Sequence, residues 1–143
     1  MRLTRFTDNA LRCLTFLALE PGHTATAHAI AARMGMSEDH LFKVIARLSD
    51  LGYVETHRGR SGGVRLLRRP DDIRIGDVVR ETEDNMALVE CFTPETNRCP
   101  IAPACVLAPA LDRALRAFLG VLDGLSLADL VRPRRRLAAL LAE

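Results

Sequence analysis

The sequence predicts a mainly α-helical protein with a small β-hairpin wing, in which a winged helix-turn-helix domain precedes a long dimerisation helix. Three observations support this fold class. Apolar residues recur at three- and four-residue spacing through residues 6–48. Two alternating apolar and polar runs then flank a glycine-rich turn. A longer stretch of helical apolar spacing follows a proline-rich segment.

The length of 143 residues is enough for one domain, or for a small domain with an appendage. We expect a winged helix-turn-helix domain over 1–70, a short helix and cysteine loop over 71–106, and a dimerisation helix with a C-terminal tail over 107–143. No apolar run approaches the roughly 18 residues of a membrane span, and no cleavable signal peptide is recognisable. We therefore expect a cytoplasmic protein.

The first predicted helix begins after Thr4 or Thr7, either of which can cap it, and runs to about Leu19. One face of this helix is apolar, and it consists of Phe6, Ala10, Cys13, Leu14 and Leu17. Because Cys13 lies on that face, we interpret it as a small buried apolar residue and not as a ligand.

Two further helices follow, with a short connection between them. Thr26 caps the second helix and Gly35 ends it, whereas Ser37 caps a third helix that closes at Leu51 and Gly52. This order is the helix-turn-helix pattern. Residues 53–56 and 64–67 then alternate in polarity around HRGRSGG, which predicts a basic hairpin, the wing.

The charge distribution predicts that the first half of the chain binds nucleic acid. Residues 1–70 carry eleven Lys and Arg against six Asp and Glu, whereas residues 71–143 carry nine against twelve. We expect double-stranded operator DNA as the partner, with the third helix and the wing in contact with it. The predicted DNA-binding residues are Ser37, Glu38, His40, Lys43, Arg47, Arg58, Arg60, Ser61, Gly62 and Gly63. Arg65 is a further source of positive charge on the wing.

From Pro70 the chain turns acidic, and a short helix is predicted from Gly76 or Asp77 to about Asp84. A later apolar stripe indicates a helix of about four turns that begins or kinks at Pro109. Its members are Leu107, Leu111, Leu115, Phe118, Leu119 and Leu122. Pairing with a second copy across a two-fold axis would cover the stripe, and packing on the chain's own winged domain is the alternative. Another helix is expected to start at Ser126, and the arginine-rich tail after it is interpreted as a solvated basic end.

Three of the four cysteines, Cys91, Cys99 and Cys105, lie in one short segment between Glu90 and Cys105. Three prolines interrupt this segment, so we expect a loop and not a regular helix. Thiolates that converge from a loop can hold an iron–sulfur cluster or a zinc ion, and the spacing does not choose between them. Each site wants about four ligands. The fourth would be a carboxylate, a residue supplied by folding or by a second subunit, or a small molecule.

Other functions stay open at this point. The cysteines could be redox-active or inert thiols, or a disulfide with one spare thiol, although stable disulfides are rare in a reducing compartment. A thiol- or metal-responsive regulator, a zinc-stabilised interaction protein and an electron-transfer component are the corresponding alternatives. An enzyme is not expected, because the sequence contains no P-loop, no dinucleotide-binding glycine motif after a strand, no nucleophile elbow and no HExxH.

Three motifs in order, MRLTRFTDNALRCL, RGRSGGVRL and ECF with CPI and a further cysteine, resemble the Rrf-type family of bacterial regulators. The resemblance covers nearly the whole chain. It implies a homodimeric winged-helix transcriptional regulator, several of whose relatives carry an iron–sulfur cluster. Within the family, NMALVECF followed by CPI is most similar to the nitric-oxide-sensing repressors.

The resemblance also implies a ligand set. In the nitric-oxide-sensing members, three loop cysteines and an aspartate on the first helix of the other subunit hold one [4Fe–4S] cluster per subunit. The matching ligands here are Cys91, Cys99, Cys105 and Asp8, with Arg12 as the neighbour of Asp8. Spacing alone would make Asp8 and Arg12 an ordinary i,i+4 ion pair. The alternative [2Fe–2S] relatives have a histidine three residues beyond the last loop cysteine, where this chain has Ala108.

Overall fold

The computed structural model describes residues 2–57 and 62–142. The helices are α1 (Arg5–Leu19), α2 (Ala27–Met34), α3 (Glu38–Asp50), α4 (Ile75–Thr82), α5 (Leu107–Asp123), α6 (Leu127–Leu130) and α7 (Arg134–Ala142). The strands are β1 (Thr24–Ala25), β2 (Val54–His57) and β3 (Gly63–Leu66). This confirms the mainly helical class with a small wing. None of the helices in the described ranges is long and apolar enough to cross a membrane.

The first three helices begin at the predicted capping residues. The hydroxyl of Thr4 accepts a hydrogen bond from the Thr7 backbone at 3.2 Å, whereas Thr7 itself is buried, so Thr4 is the cap. Thr26 caps α2 and Ser37 caps α3 in the same way. Gly35 ends α2 with a φ of 64°, a left-handed conformation that costs glycine little. The helix-turn-helix prediction is therefore confirmed.

The sheet has three antiparallel strands in the order β1, β3, β2. The predicted hairpin is present as β2 and β3, with Val54 opposite Leu66 and His57 opposite Gly63. Strand β1 was not predicted, because two residues are too few to show an alternating pattern. It pairs Thr24 with Arg65 on the other edge of β3.

The core lies where α1 crosses α3 and α4. From α1 it takes the predicted face, in which Cys13 is fully buried as expected. The other large buried side chains come from α2, α3, α4, α6, the hairpin and the turns beside them, and they include Leu41, Val44, Leu48, Tyr53, Val54, Ile73, Val78 and Leu127. Each such side chain stabilises the fold by about 1.5–3 kcal/mol through burial.

Hydrogen bonds and an ion pair link the start of α4 to the end of α5 and the residues after it. The Ile75 backbone donates to the Leu125 carbonyl at 3.0 Å, and the Leu127 backbone donates to the Ile73 carbonyl at 2.8 Å. Arg80 binds both carboxylate oxygens of Asp123 at 2.6 and 2.7 Å. Helix α4 begins and ends one or two residues earlier than predicted, at Ile75 and Thr82.

Helix α5 carries the predicted apolar stripe, but the chain buries none of its members fully. From residue 83 to residue 125, all of which the structure describes, no side chain is buried. In the stripe Leu107 is 62% exposed and the other members are half-buried, and Val121 beside the stripe is 69% exposed. The helix starts at Leu107, so Pro109 lies in the first turn, where a missing backbone donor costs nothing.

The arginine-rich tail differs from its interpretation as a solvated end. Residues 134–142 form α7, and the Arg134 guanidinium donates to the carbonyls of Ala18 and Leu19, at 3.2 Å for the first. These are among the last carbonyls of α1, which have no partner within the helix. Arg33 of α2 donates to the Leu141 carbonyl, so α7 rests on α1 and α2.

Candidate cysteine centre and nucleic-acid interface

Asp8 lies in the first turn of α1 and faces outward. Its carboxylate pairs with Arg12 at 2.8 Å, and the two side chains are 48% and 49% exposed. An open depression lined by Arg2, Leu3, Thr4, Arg5 and Asp8 lies beside it. The predicted i,i+4 pair is thus present, and the carboxylate remains accessible to a group outside the chain.

The cysteine segment is irregular, as its prolines predict. Two single 3₁₀ turns, Glu90–Phe92 and Ala102–Ala104, hold Cys91 and precede Cys105. Local hydrogen bonds shape the rest, because the Arg98 backbone donates to the Glu90 carboxylate at 2.6 Å and the Cys99 backbone donates to the Asn97 side chain at 3.0 Å. The three thiols are free and partly exposed.

The fourth cysteine is chemically different. Cys13 is fully buried, and burial raises the pKa of its thiol to about 12, which keeps it protonated and inert. Cys105, by contrast, accepts a hydrogen bond from the Ala108 backbone at 3.4 Å. That N–H belongs to the first turn of α5, so it has no partner within the helix and is free to stabilise a charged sulfur ligand.

Within residues 2–57 and 62–142, no three His, Cys, Asp or Glu side chains lie close enough together to hold one metal ion. The three loop thiols are therefore not gathered around a common point within a single chain. Their chemistry nevertheless fits an iron–sulfur cluster, since all three are free, soft sulfur donors on an accessible loop. Asp8 is accessible enough to supply a further oxygen ligand from a second chain.

The third helix presents a polar surface beside its apolar stripe. Ser37 caps the helix, and Glu38 accepts from His28 of α2 at 2.6 Å, which joins the two helices of the motif. Lys43 is exposed, and the aromatic side chain of Phe42 next to it is 54% exposed. The exposure of Phe42 was not predicted. The sequence does carry a signal for it, because Phe42 directly follows Leu41, the first residue on the buried apolar face of α3.

The spacing of α3 predicts that His40 and Arg47 lie on its outward side, and the structure contradicts this for His40. The His40 ring contacts the Phe6 ring edge-on at 6.0 Å, and its Nε2 atom is buried without a hydrogen-bond partner. The prediction that His40 lies on the outward side is thus wrong, because α1 covers that position. Arg47 remains exposed, but its guanidinium donates to the Glu81 carbonyl at 3.0 Å. Contact of either residue with DNA stays a prediction.

Two residues of the wing, Gly63 and Arg65, have contacts within the sheet that the sequence did not predict. The predicted DNA-binding residues Arg58, Arg60 and Ser61 lie outside the described ranges, and Gly62 directly precedes β3. At Gly63 a Cβ atom would lie 2.7 Å from the Ala25 carbonyl oxygen, so glycine is needed here for packing against β1. Arg65 pairs with Glu55 across the strands, which uses its charge within the hairpin.

Two polar residues link the candidate site to the predicted DNA-binding surface and were not predicted to do so. Glu83 accepts hydrogen bonds from Thr4, and Glu81 accepts from Tyr53 and Arg47. These partners are between 28 and 79 residues away in sequence. No local spacing rule connects residues at such separations, so the sequence held no signal for them.

Known proteins are similar in sequence to this chain along its whole length. The family description "Rrf2: Iron-dependent Transcriptional regulator" matches residues 3–133. The chain is 51% identical to the HTH-type transcriptional regulator NsrR of Geobacillus kaustophilus, covering 100% of this chain and 98% of the relative. It is also 51% identical to NsrR of Bacillus subtilis, covering 99% of this chain and 97% of the relative.

Solved structures of related regulators share the fold. T. potens IscR superposes with a TM-score of 0.74 at 26% identity, covering 93% of this chain and 88% of that one. CymR, the global cysteine regulator of B. subtilis, gives 0.71 at 27% identity, covering 91% and 95%. The chain is therefore a DNA-binding transcriptional regulator, not an enzyme, and belongs to the Rrf2 family.

Proposed function

We propose that this regulator is a homodimeric repressor that releases operator DNA when nitric oxide reacts at a [4Fe–4S] cluster. Cys91, Cys99 and Cys105 of one subunit and Asp8 of the partner subunit would hold each cluster. The relatives named NsrR, at 51% identity over the whole chain, support this assignment. The division into 1–70, 71–106 and 107–143 then separates DNA binding, sensing and dimerisation.

One observation carries the proposal: the segment with the thiols and the helix after it bury no side chain within one chain. Such a surface is stable only if something covers it, and a second copy supplies both an apolar helix and an accessible carboxylate. The partly exposed Asp8 would then meet the thiols of the other subunit, which lack a fourth ligand of their own.

The chain's residues determine how such a site would respond. When bound, the cluster supplies iron that takes nitric oxide. A carboxylate is a harder and more exchangeable iron ligand than a thiolate, so Asp8 is the ligand that leaves most readily. Arg12, 2.8 Å from the Asp8 carboxylate, is a ready partner for the released group. Helix α1 would then be free to move, and α1 packs directly on α3.

The spacing of the two DNA-binding surfaces makes this movement effective. Two-fold related half-sites lie about 34 Å apart, one turn of the double helix. A change in the position of α3 relative to α5, the proposed dimerisation helix, would alter the distance between the two DNA-binding surfaces. The [2Fe–2S] alternative has less support, because at Ala108 the chain offers a backbone N–H and no ring nitrogen as a ligand.

Iron and sulfide analysis of anaerobically purified protein tests the proposal. We expect about four irons per subunit, and nitric oxide should bleach the visible absorption and weaken DNA binding. Asp8→Ala should make the cluster less stable and blunt the response to nitric oxide. If Asp8→Ala behaves as the wild type, the cross-subunit ligand is wrong. If the protein is free of iron and still responds, it is a thiol-responsive regulator.

Salt dependence tests the DNA interface. Contacts from Lys43, Arg47, Arg58 and Arg60 to phosphates should give a steep fall in affinity as salt concentration rises. A duplex selected by the protein from a random-sequence library is the probe. An affinity that does not change with salt would contradict phosphate contact by these residues.

A further inference from the structure

The last turn of α4 connects the candidate sensing site with the DNA-binding surface. We call Glu81, Thr82 and Glu83 the α4 joint. Residues 84–89 connect the joint to the cysteine segment, and residues of the joint contact both α1 and the end of α3. None of these contacts involves a predicted ligand or a predicted DNA-binding residue other than Arg47.

Glu83 fixes the beginning of α1. The backbone N–H and the hydroxyl of Thr4 both donate to Glu83 Oε1, at 2.8 and 3.0 Å. Burial disfavours the ionised form of Glu83, but hydrogen bonds from Thr7 and Thr4 outweigh that effect and hold its pKa below the usual range. Next to Glu83 in the sequence, the Thr82 hydroxyl donates to the Thr7 hydroxyl at 3.1 Å in a buried contact. Asp8 is four residues from Thr4, so the contact holds the turn that carries it.

Glu81 fixes the end of α3. Its carbonyl accepts from Arg47 in the last turn of α3 at 3.0 Å, and its carboxylate accepts from the Tyr53 hydroxyl at 2.5 Å. Tyr53 is 1% exposed and leads into the wing. Arg68 lies over the Tyr53 ring at 4.5 Å and donates to the carbonyls of Leu51 and Gly52, directly after α3. The ring is therefore held in one place, and Glu81 ties α4 to both α3 and the wing.

We propose, on the basis of the proposed function, that Glu81 and Glu83 are positioning residues that couple the cysteine site to the orientation of α3. The hydrophobic contribution of the core between α1 and α3 is non-directional. Hydrogen bonds have strict distance and angle requirements, so the joint adds a directional constraint on how α1 and α3 are oriented.

The joint receives two inputs in a dimer. Its own cysteine segment is connected to it through residues 84–89, and Asp8 on the attached α1 would serve the cysteines of the partner subunit. Loss of the cluster at either site would therefore change the orientation of the same α3. This arrangement couples both subunits to each DNA half-site without a direct contact between cluster and DNA.

The ratio of operator affinities of cluster-free and cluster-bearing dimer measures the coupling. We compare wild type, Glu83→Ala, Glu83→Gln and the charge control Asp72→Ala, an exposed acid in the turn before α4. The probe is a duplex of about 30 base pairs, long enough for two half-sites one turn apart, selected by the cluster-bearing protein from a random library. Visible absorption confirms the cluster content of each sample.

Glu83→Ala should bring the two affinities together and reduce their ratio at least about fivefold, the lower end of ordinary allosteric coupling. Glu83→Gln keeps an acceptor for Thr4 and should restore most of the ratio, and Asp72→Ala should match wild type. A merely structural role would weaken both forms in parallel and leave the ratio unchanged, which would overturn the proposal. A wild-type ratio of one would instead refute the proposed function itself.

Two further measurements test each half of the joint. Tyr53→Phe removes only the hydroxyl that donates to Glu81, and it should lower the same ratio while the cluster stays intact. Hydrogen exchange of the cluster-free protein provides a readout without the cluster. Glu83→Ala should speed exchange at the first turn of α1, and unchanged exchange there would contradict the role of Glu83.

Discussion

At the scale of single residues, burial gives the four cysteines two different chemistries. Cys13 is fully enclosed by the core of α1, whereas Cys91, Cys99 and Cys105 lie on a segment that buries no side chain. A thiol reacts as its thiolate, which a dry apolar site disfavours. The sequence indicated this division, because Cys13 falls on an apolar helical face and the others fall among prolines.

Alkylation should separate the two kinds of thiol. In cluster-free protein at about pH 8, iodoacetamide should label the three loop cysteines and spare Cys13, because its pKa is raised to about 12. In urea, Cys13 should react as well. Mass spectrometry of peptides provides the measurement, and labelling of Cys13 at the rate of Cys99 in the folded protein would contradict its burial.

The same burial links Cys13 to stability at high pH. The folded state keeps the proton more tightly than the unfolded state, so this contribution to stability is complete below the ordinary pKa of about 8.5. It is lost as pH rises from there through about 12. Cys13→Ala should therefore lose less stability than wild type over that range, as measured by urea unfolding at each pH.

At the scale of elements, the sequence predicted the helices with strong periodicity and missed those that depend on distant contacts. Caps at Thr26 and Ser37 and a stop at Gly35 are local chemistry, and all three are confirmed. Strand β1 exists because β3 offers it a free edge. Helix α7 lies on α1 and α2. From sequence alone its arginine-rich start is interpreted as a solvated tail, because the sequence does not show that the last carbonyls of α1 are available to accept from Arg134.

Arg134 should act as a cap supplied from a distance. Its guanidinium donates to two of the last carbonyls of α1, so Arg134→Ala should reduce the free energy of unfolding by about 1–2 kcal/mol. Urea unfolding at fixed protein concentration measures this value. Arg135→Ala, at an exposed neighbouring position, should change it by less than about 0.5 kcal/mol. Equal effects of the two substitutions would contradict the cap.

Gly76 should be needed where α4 meets the end of α5. A Cβ atom there would lie 1.9 Å from Asp123 Oδ1 and 2.9 Å from the Arg80 guanidinium. Gly76→Ala should therefore displace Asp123, break its pair with Arg80 and destabilise the protein by up to about 1 kcal/mol. Thermal unfolding at fixed concentration measures the loss.

Two controls make the Gly76 measurement specific. In an Asp123→Ala background the obstacle is gone, so the added cost of Gly76→Ala should largely disappear. Gly120→Ala places a methyl group where the chain has no atom within 4 Å, and it should stabilise α5 by up to about 1 kcal/mol. A full cost of Gly76→Ala without Asp123 would show that the clash is not the cause.

At the scale of the whole molecule, the sequence could indicate the apolar stripe of α5 but not what covers it. A periodic pattern shows that one face avoids water, and it is silent about whether the covering surface belongs to the same chain. The structure shows that the chain buries this face only in part. The same reason applies to the proposed fourth ligand, Asp8 of the partner subunit, since a residue on another subunit has no sequence distance.

A charge on this face should prevent dimerisation. Val121→Glu puts an unpaired carboxylate where we expect a second copy to pack, and burying it would cost several kcal/mol. Sedimentation should then show a chain of 15.8 kDa where wild type shows twice that mass. Arg116→Gln, a polar substitution at an exposed position of the same helix, should remain dimeric. A dimeric Val121→Glu would place the interface elsewhere.

The stretch from residue 83 to residue 125, which buries no side chain fully, would make the proposed sensing depend on protein concentration. In the proposed dimer its order would come from an encounter between two molecules, so the fraction of chains with an organised thiol segment would obey mass action. The winged half keeps its own core at any dilution. A cell with few copies would hold molecules that read DNA but have no working sensor, and only accumulation of the protein would give them one.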